Sequence, residues 1–494
     1  MPPEGRTARH RRPTSGRASA RALASIAALM FLAVLVLPAA MPAGRGLHAA
    51  QPAREVAALQ PLQPMIDAAR EGDIVAPPAG RYAGPVLISK PMTLDGSSGV
   101  EVDGGGKGTV VHVRANGATV RNMRIVNSGD QHNDIDAGIR IEGNFNVVKD
   151  NVIEEALFGI DLQEAHNNVV RRNRIGSKAD AELGVKGDAV RLWYARGNRL
   201  EENIVRDSRD FVIWYSSGNT VVRNDVANGR YGLHLMYARD NTIEDNRFDR
   251  NAVGIYLMYD EGDVIRRNRI VQALGAAGVG IGLKEVSNVV IEGNEVLYNA
   301  VGLAFDITPF QPGSTVEVTG NTIAFNDIGV SFLSDRPGNI FKDNRFLSNT
   351  QHVAMRLFES AARAEWSGNH WDDYQGFDQN RDGIGDKPYA MRSFADRLWM
   401  DVPNAGFFKG SPALSVLDFI ERLAPFTEPL LLLKDESPRI TKDFVVSTSV
   451  KDRARPAARK EADEDQDEPA PVSGGAGEDH PPAERIDPFG LYRK

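Results

Sequence analysis

Three side chains in neighbouring repeats have the chemistry to hold a soft metal ion: the imidazole of His234 and the thioethers of Met236 and Met258. Imidazole and thioether donors suit Cu(I), and with no cysteine in the chain the matching task is transfer rather than tight thiolate storage. The three residues belong to four similar stretches, 189–194, 210–215, 232–237 and 254–259, each ending in Trp-Tyr or Met-Tyr. Val190, Leu192, Phe211, Ile213, Leu233, Leu235, Ile255 and Leu257 share one parity and are expected inside. Arg191, Trp193, Val212, Trp214, His234, Met236, Tyr256 and Met258 share the other. Adjacent strands lie about 4.8 Å apart, so this second set forms one patch, and its Trp-Trp-Met-Met row is unusual for a surface. Three readings stand side by side. The C-terminal segment covers the row, or His234, Met236 and Met258 contact Cu(I), or Trp193 and Trp214 stack on a sugar. Arg191, Trp193, Trp214 and Tyr256 are the candidate partner-binding surface.

A second constellation follows the last repeat. Asp378, Asn380, Asp382 and Asp386 fall at positions 1, 3, 5 and 9 of a calcium-loop pattern, with Gly383 at the sharp turn. Tyr389 stands where the bidentate glutamate belongs, and an Asx-turn cap accounts for the same residues. Polysaccharide chemistry would need carboxylates converging on one groove. Asp134 and Asp136 near His132, then Asp161, Asp188, Asp210 and Lys284, are the candidates. No second carboxylate recurs at one repeat position, and a solvated polar edge explains them as well.

These residues are carried by a repeat. Asparagine, any residue, then an aliphatic or aromatic one recurs at Asn151, Asn173, Asn203, Asn224, Asn246, Asn268, Asn294, Asn321, Asn344 and Asn369, roughly 21 to 30 residues apart. Glycine followed by alternating apolar residues recurs at Gly159, Gly232, Gly254, Gly302 and Gly329. A third phrase starts at Asn168, Asn219, Asn241 and Asn288. Three short strands per period describe one coil of a parallel β-helix. Asparagine and glycine suit its corners because they tolerate left-handed backbone angles, and stacked asparagines can bond from coil to coil. The expectation is an all-β, right-handed parallel β-helix of about ten coils over residues 51–391, with residues 65–70 as a cap on its first coil.

The ends differ in kind. Residues 1–50 join a basic start, lacking a well-formed twin-arginine motif, to an uncharged apolar run over 23–40. This is the order of a secretory signal peptide, with cleavage near Ala40 or Ala50, or of an uncleaved anchor. Residues 392–440 read as an apolar, proline-interrupted docking segment, and 441–494 as a disordered charged tail. A net charge of -8 and a pI near 5.7 exclude a general nucleic-acid binder.

The stretches 187–194, 205–216, 229–237, 253–259, 280–284, the 369–389 loop and 417–435 resemble the NosD family of β-helix proteins, and the likeness covers about residues 55–440. The 232–237 and 254–259 stretches and the C-terminal segment are its specific part. The resemblance implies a non-catalytic, periplasmic maturation factor for nitrous oxide reductase. It would take copper from a copper chaperone lipoprotein and deliver it to the apo-reductase for its copper-sulfide centre. Its partners would include the ATPase and membrane subunits of an ABC transporter, and His234, Met236 and Met258 would be the transient Cu(I) contacts. An exported carbohydrate-binding, -cleaving or -epimerising β-helix is the alternative.

Overall fold

The computed structural model describes residues 59–355, 361–393 and 430–440, with isolated positions between 411 and 423. The leader over 1–50, the tail over 441–494 and most of the 392–440 segment lie outside the described residues. Among those described, no helix is long and apolar enough to cross a membrane.

The chain winds as a parallel β-helix. Its three long sheets hold 14, 13 and 12 strands, and every pairing within them is parallel and joins one coil to the next. Alternation fills the tube with aliphatic and aromatic side chains: Val190, Leu192, Phe211, Ile213, Leu233, Leu235, Ile255 and Leu257 are all 0% exposed, as their parity required.

The fold therefore has about thirteen coils, not about ten. The ten recurring asparagines trace a single hydrogen-bonded column, and it begins only at Asn151. Each rung's side-chain oxygen accepts the backbone N–H and the amide N–H of the rung before it, as Asn246 does from Asn224 at 2.9 and 3.0 Å. The column ends where Asn369 donates to Asp435. Below Asn151 the position is held by Met123, whose N–H still bonds the Asn151 side chain. Earlier coils are thus built without the residue that announces the rest.

The corners follow the sequence expectation in part: Asn167, Asn228, Asn288, Gly293, Gly320 and Gly368 are left-handed, but other residue types are too. The left-handed residue is the one before each column asparagine: Asp150, Arg172, Glu202, Arg223, Asp245, Arg267 and Asp343, with φ from 53 to 60°, and Gly293, Gly320 and Gly368, with φ from 62 to 67°. The recurring glycines that open the alternating apolar phrase are absent from the left-handed positions. They are there because coils approach closely: a Cβ on Gly159 would sit 2.2 Å from the Ala189 carbonyl oxygen, and one on Gly254 2.5 Å from that of Gly280.

Both ends are closed. A helix, Gln63–Ala68, buries Ile66 over the first coil, and the Gln63 amide pairs with both the N–H and the carbonyl of Leu87, blunting a strand edge. At the other end Trp371 stacks between Phe346 (4.2 Å) and Tyr389 (4.4 Å). Strand Leu430–Asp435 pairs antiparallel with Tyr389–Ser393 and brings Asp435 onto Trp371 and Asn369. This piece of the 392–440 segment is part of the end cap.

Candidate metal-binding face

The strands Val190–Trp193, Asp210–Trp214, Tyr231–Met236 and Val253–Met258 stack in one sheet and set the outward residues in two columns. Arg191, Val212, His234 and Tyr256 align in one, and Trp193, Trp214, Met236 and Met258 in the other. The patch expected from parity is present. Its degree of cover was not foreseen: Arg191, Val212 and His234 point outward yet are 6%, 0% and 7% exposed, while the Trp and Met residues are half-buried.

His234 reaches across the columns so that Nε2 lies 3.2 Å from the Met258 sulfur. Met236 and Met258 are register partners. Burial, opposed by Asp210 and aided by Arg230, holds the His234 pKa down to about 4, so the ring is neutral at neutral pH. Its Nδ1 is shielded from solvent and has no hydrogen-bond partner, and the same is true of Trp214 Nε1. Together these form a neutral N,S donor set in a low-dielectric pocket, suited to a soft monovalent ion.

Beside it runs a feature the sequence reading passed over. Tyr194, Tyr215, Tyr237 and Tyr259 occupy left-handed corner positions with φ of 51 to 63°. Their rings stack at 5.1, 5.1 and 4.8 Å. Lys284 closes the stack over Tyr259 at 5.7 Å. The signal was there, as a tyrosine at the end of each aligned stretch. Its spacing was read only for what preceded it.

The buried acidic candidates are held by arginines, and Asp188 and Asp210 share one, Arg209, at 2.8 and 3.5 Å. Asp161 is fully buried between Arg140 (3.2 Å) and Arg191 (2.7 Å). Arg191 in turn lies over the Trp193 ring at 4.7 Å. Asp188 is bonded by Arg209 at 2.8 Å and Asp210 by Arg230. Burial pushes the Asp188 carboxyl up to about 6, but at 2% exposure it is closed to a polymeric substrate. Asp136 accepts the Gln131 N–H, and His132 is spent on the Val185 carbonyl at 2.9 Å.

In the 378–386 loop the carboxylates serve their own backbone. Asp378 accepts the N–H groups of Asp382 and Gly383, Asp382 that of Ile384, and Asp386 that of Gln379. The Asn380 side-chain oxygen accepts the Asp382 N–H at 3.1 Å, completing an Asx-turn network around Gly383 (φ 84°). Another group, His352 with Asp372 and Asp373, does bring possible ligand atoms within 4.8 Å. There, Asp372 takes the Nε2 side at 2.9 Å, and the Asn349 amide sits 3.3 Å from Nδ1. That amide nitrogen also donates to the Ile323 carbonyl. Burial lowers the His352 pKa, but the hydrogen bonds to Asp372 and Asp373 raise it to about 9, so at neutral pH Nε2 keeps its proton and has no lone pair for a metal.

Residues 176–376 match the family described as periplasmic copper-binding protein (NosD). A curated relative from Pseudomonas aeruginosa, described as a probable ABC transporter binding protein NosD, is 30% identical over 400 residues, which is 73% of this chain and 89% of the relative. A namesake from Stutzerimonas stutzeri is 35% identical over 91 residues, covering 18% of this chain and 20% of its own. Among solved structures, the A-module of an Azotobacter vinelandii mannuronan C-5 epimerase aligns with a TM-score of 0.48 at 15% identity, over 60% of this chain and 90% of that one. A likeness at those values says nothing about chemistry. The match over nearly the whole length of the Pseudomonas relative does decide the family: this chain belongs to the NosD family of periplasmic copper-binding proteins.

Proposed function

We propose that this protein is a non-catalytic maturation factor that accepts Cu(I) from a chaperone lipoprotein and delivers it to apo-nitrous oxide reductase for copper-sulfide centre assembly. It does so in the periplasm, exported by its N-terminal segment, beside the ATPase and membrane subunits of an ABC transporter. The observation that carries the copper step is the neutral, buried His234 imidazole with Nε2 at 3.2 Å from the Met258 sulfur and Met236 alongside. Arg191, Trp193, Trp214 and Tyr256 around it are the docking surface for the donor or acceptor protein. Docking to the transporter falls to the 392–440 segment, where Val416, Phe419, Ile420 and Leu423 are helical, exposed and spaced as one apolar stripe.

An anaerobic Cu(I) titration tests the metal step, comparing the wild type with a His234→Ala, Met236→Leu, Met258→Leu variant. The expected result is a loss of Cu(I) affinity on the order of a hundredfold, given that three donors are removed. Equal binding by both proteins removes the assignment. Because burial holds the His234 pKa near 4, protons compete for the imidazole only below that value. Wild-type affinity should therefore stay flat from neutral pH down to about pH 5 and fall below pH 4.

Calcium in the 378–386 loop is the lesser proposal, since the carboxylates already bond the loop's own N–H groups. A thermal midpoint that differs by less than about 2 °C between excess calcium and excess chelator is expected from the turn network alone. A larger calcium-dependent rise would place the ion there.

A further inference from the structure

His234 is oriented in an unusual way for a metal ligand. In settled metal sites the second ring nitrogen donates to a carboxylate or carbonyl, and losing that bond typically costs about 10–100-fold in affinity. Here Nδ1 has no hydrogen-bond partner among the described residues. Three aromatic rings surround the imidazole instead. Tyr231 stacks on it at 4.7 Å and 26°. Trp214 meets it edge to face at 5.7 Å and 87°, and Tyr256 at 6.3 Å and 79°.

The backbone is arranged to allow this. Tyr231 and His234 are three residues apart in one strand, so strict alternation would put them on opposite faces. The register between this strand and the one before it shifts between Asp210 and Val212, a bulge-type irregularity of the kind that re-aims a side chain. Tyr256 needs room too. Its ring lies over Gly282, where a Cβ would come within 2.4 Å of it. The charges bordering the enclosure are paired: Asp210, the nearest acid to act on His234, is bonded to Arg230 and to the Tyr231 N–H, and the Arg230 guanidinium lies over the Tyr231 ring at 5.0 Å. Aromatic faces attract cations without adding charge, which favours a monovalent ion over a divalent one in a buried place.

We infer that Tyr231, Trp214 and Tyr256 are positioning residues that hold the His234 imidazole toward Met258 by ring contacts, in place of the hydrogen bond that Nδ1 would otherwise make, for a soft monovalent ion. This rests on the Cu(I) reading above. The test uses the full chain and Cu(I) itself, titrated anaerobically against a competing chelator, with Trp214→Leu, Tyr231→Leu, Trp214→Phe and Tyr231→Phe. Each leucine variant is expected to lose about tenfold in Cu(I) affinity, the lower edge of what an orienting contact supplies. Each phenylalanine variant should stay within about threefold of the wild type, because the ring and not its polar atom does the positioning. Thermal unfolding midpoints report whether the coil stack is intact, and a leucine variant that loses affinity with an unchanged midpoint supports the role. Leucine variants that bind as the wild type does overturn it, as do phenylalanine variants that lose as much as leucine. A wild type that binds no more Cu(I) than the His234→Ala, Met236→Leu, Met258→Leu variant fails differently: it removes the copper reading first.

Discussion

Asn246→Ala is expected to lower the unfolding free energy by about 3–5 kcal/mol, read as a drop in the urea midpoint. Asn246 is one rung in the middle of the buried asparagine column. Its oxygen accepts the Asn224 N–H and the Asn224 amide, and its own amide donates to the Val221 carbonyl at 2.8 Å and to Asn268 at 2.9 Å. Truncation leaves the Asn224 N–H buried without its acceptor, at roughly 1–3 kcal/mol, and removes three further buried hydrogen bonds, from the Asn224 amide and to Val221 and Asn268, at roughly 0.5–1.5 kcal/mol each. The control is Asn116→Ala. Asn116 makes the same kind of bond to the Asn144 N–H, but it is exposed, so water replaces what is lost and the expected change is below about 1 kcal/mol. Equal, small effects at both positions would mean that the column does not hold the coils together.

The column is also why so much of the fold could be read from the sequence. A rung must be an asparagine because it has to accept from the rung below and donate onward at once, so residue identity repeats along with spacing. Where structure needs only a size or a φ value, identity drifts and the signal goes. The first coils lack the asparagine and were undercounted. The left-handed corners hold Asp, Arg, Glu and Tyr as well as Asn and Gly, so no single phrase marked them. Glycine spacing was visible, but its reason was not, because the carbonyl it avoids belongs to the next coil.

The candidate site divides the same way. Parity alone placed His234, Met236, Met258, Trp193 and Trp214 on one face. The burial of His234 could not be read, since it depends on Tyr231, three residues away and turned onto that face by a register shift. The acids were visible as residues while their arginine partners, usually one coil away, were not. A carboxylate's meaning in this fold is set about 20 to 30 positions away in sequence, where the next coil passes.

Asp263 makes that dependence measurable. It occupies the last rung of a second column, after Asn146, Asn168, Asn198, Asn219 and Asn241. One oxygen takes the Asn241 N–H and amide; the other is buried with no partner. Burial raises its pKa from 3.8 to about 7, against the pull of the Asn241 hydrogen bonds. In the unfolded chain the carboxyl ionises near 3.8; in the folded chain it keeps its proton until about pH 7. Below pH 3.8 both states are protonated and the residue costs nothing. As pH rises through the window from 3.8 to about 7 the unfolded state alone gives up a proton, so stability falls, and above 7 the penalty is constant. Its size is roughly 4 kcal/mol, from the distance between those two pKa values.

Asp263→Asn removes the ionisation and restores a donor. Asn219 and Asn241 donate to the carbonyls of Ala195 and Ser216, and the next step up the column aims the new amide at Ala238. The variant should therefore match the wild type near pH 4 and exceed it by a few kcal/mol at pH 8, in urea unfolding at the two pH values. A gain that is the same at both would mean that Asp263 is already charged when folded. No gain at either would mean that the buried oxygen has found a partner by movement of the coil. The penalty lies close to the metal-binding face: Asp260, whose carboxyl burial and Asp263 push up, accepts the N–H of Met258 itself. Ionising Asp263 thus acts five residues from the strand end, Met258, that carries a proposed copper ligand, and asparagine there removes one of the two buried titrations and leaves that of Asp260.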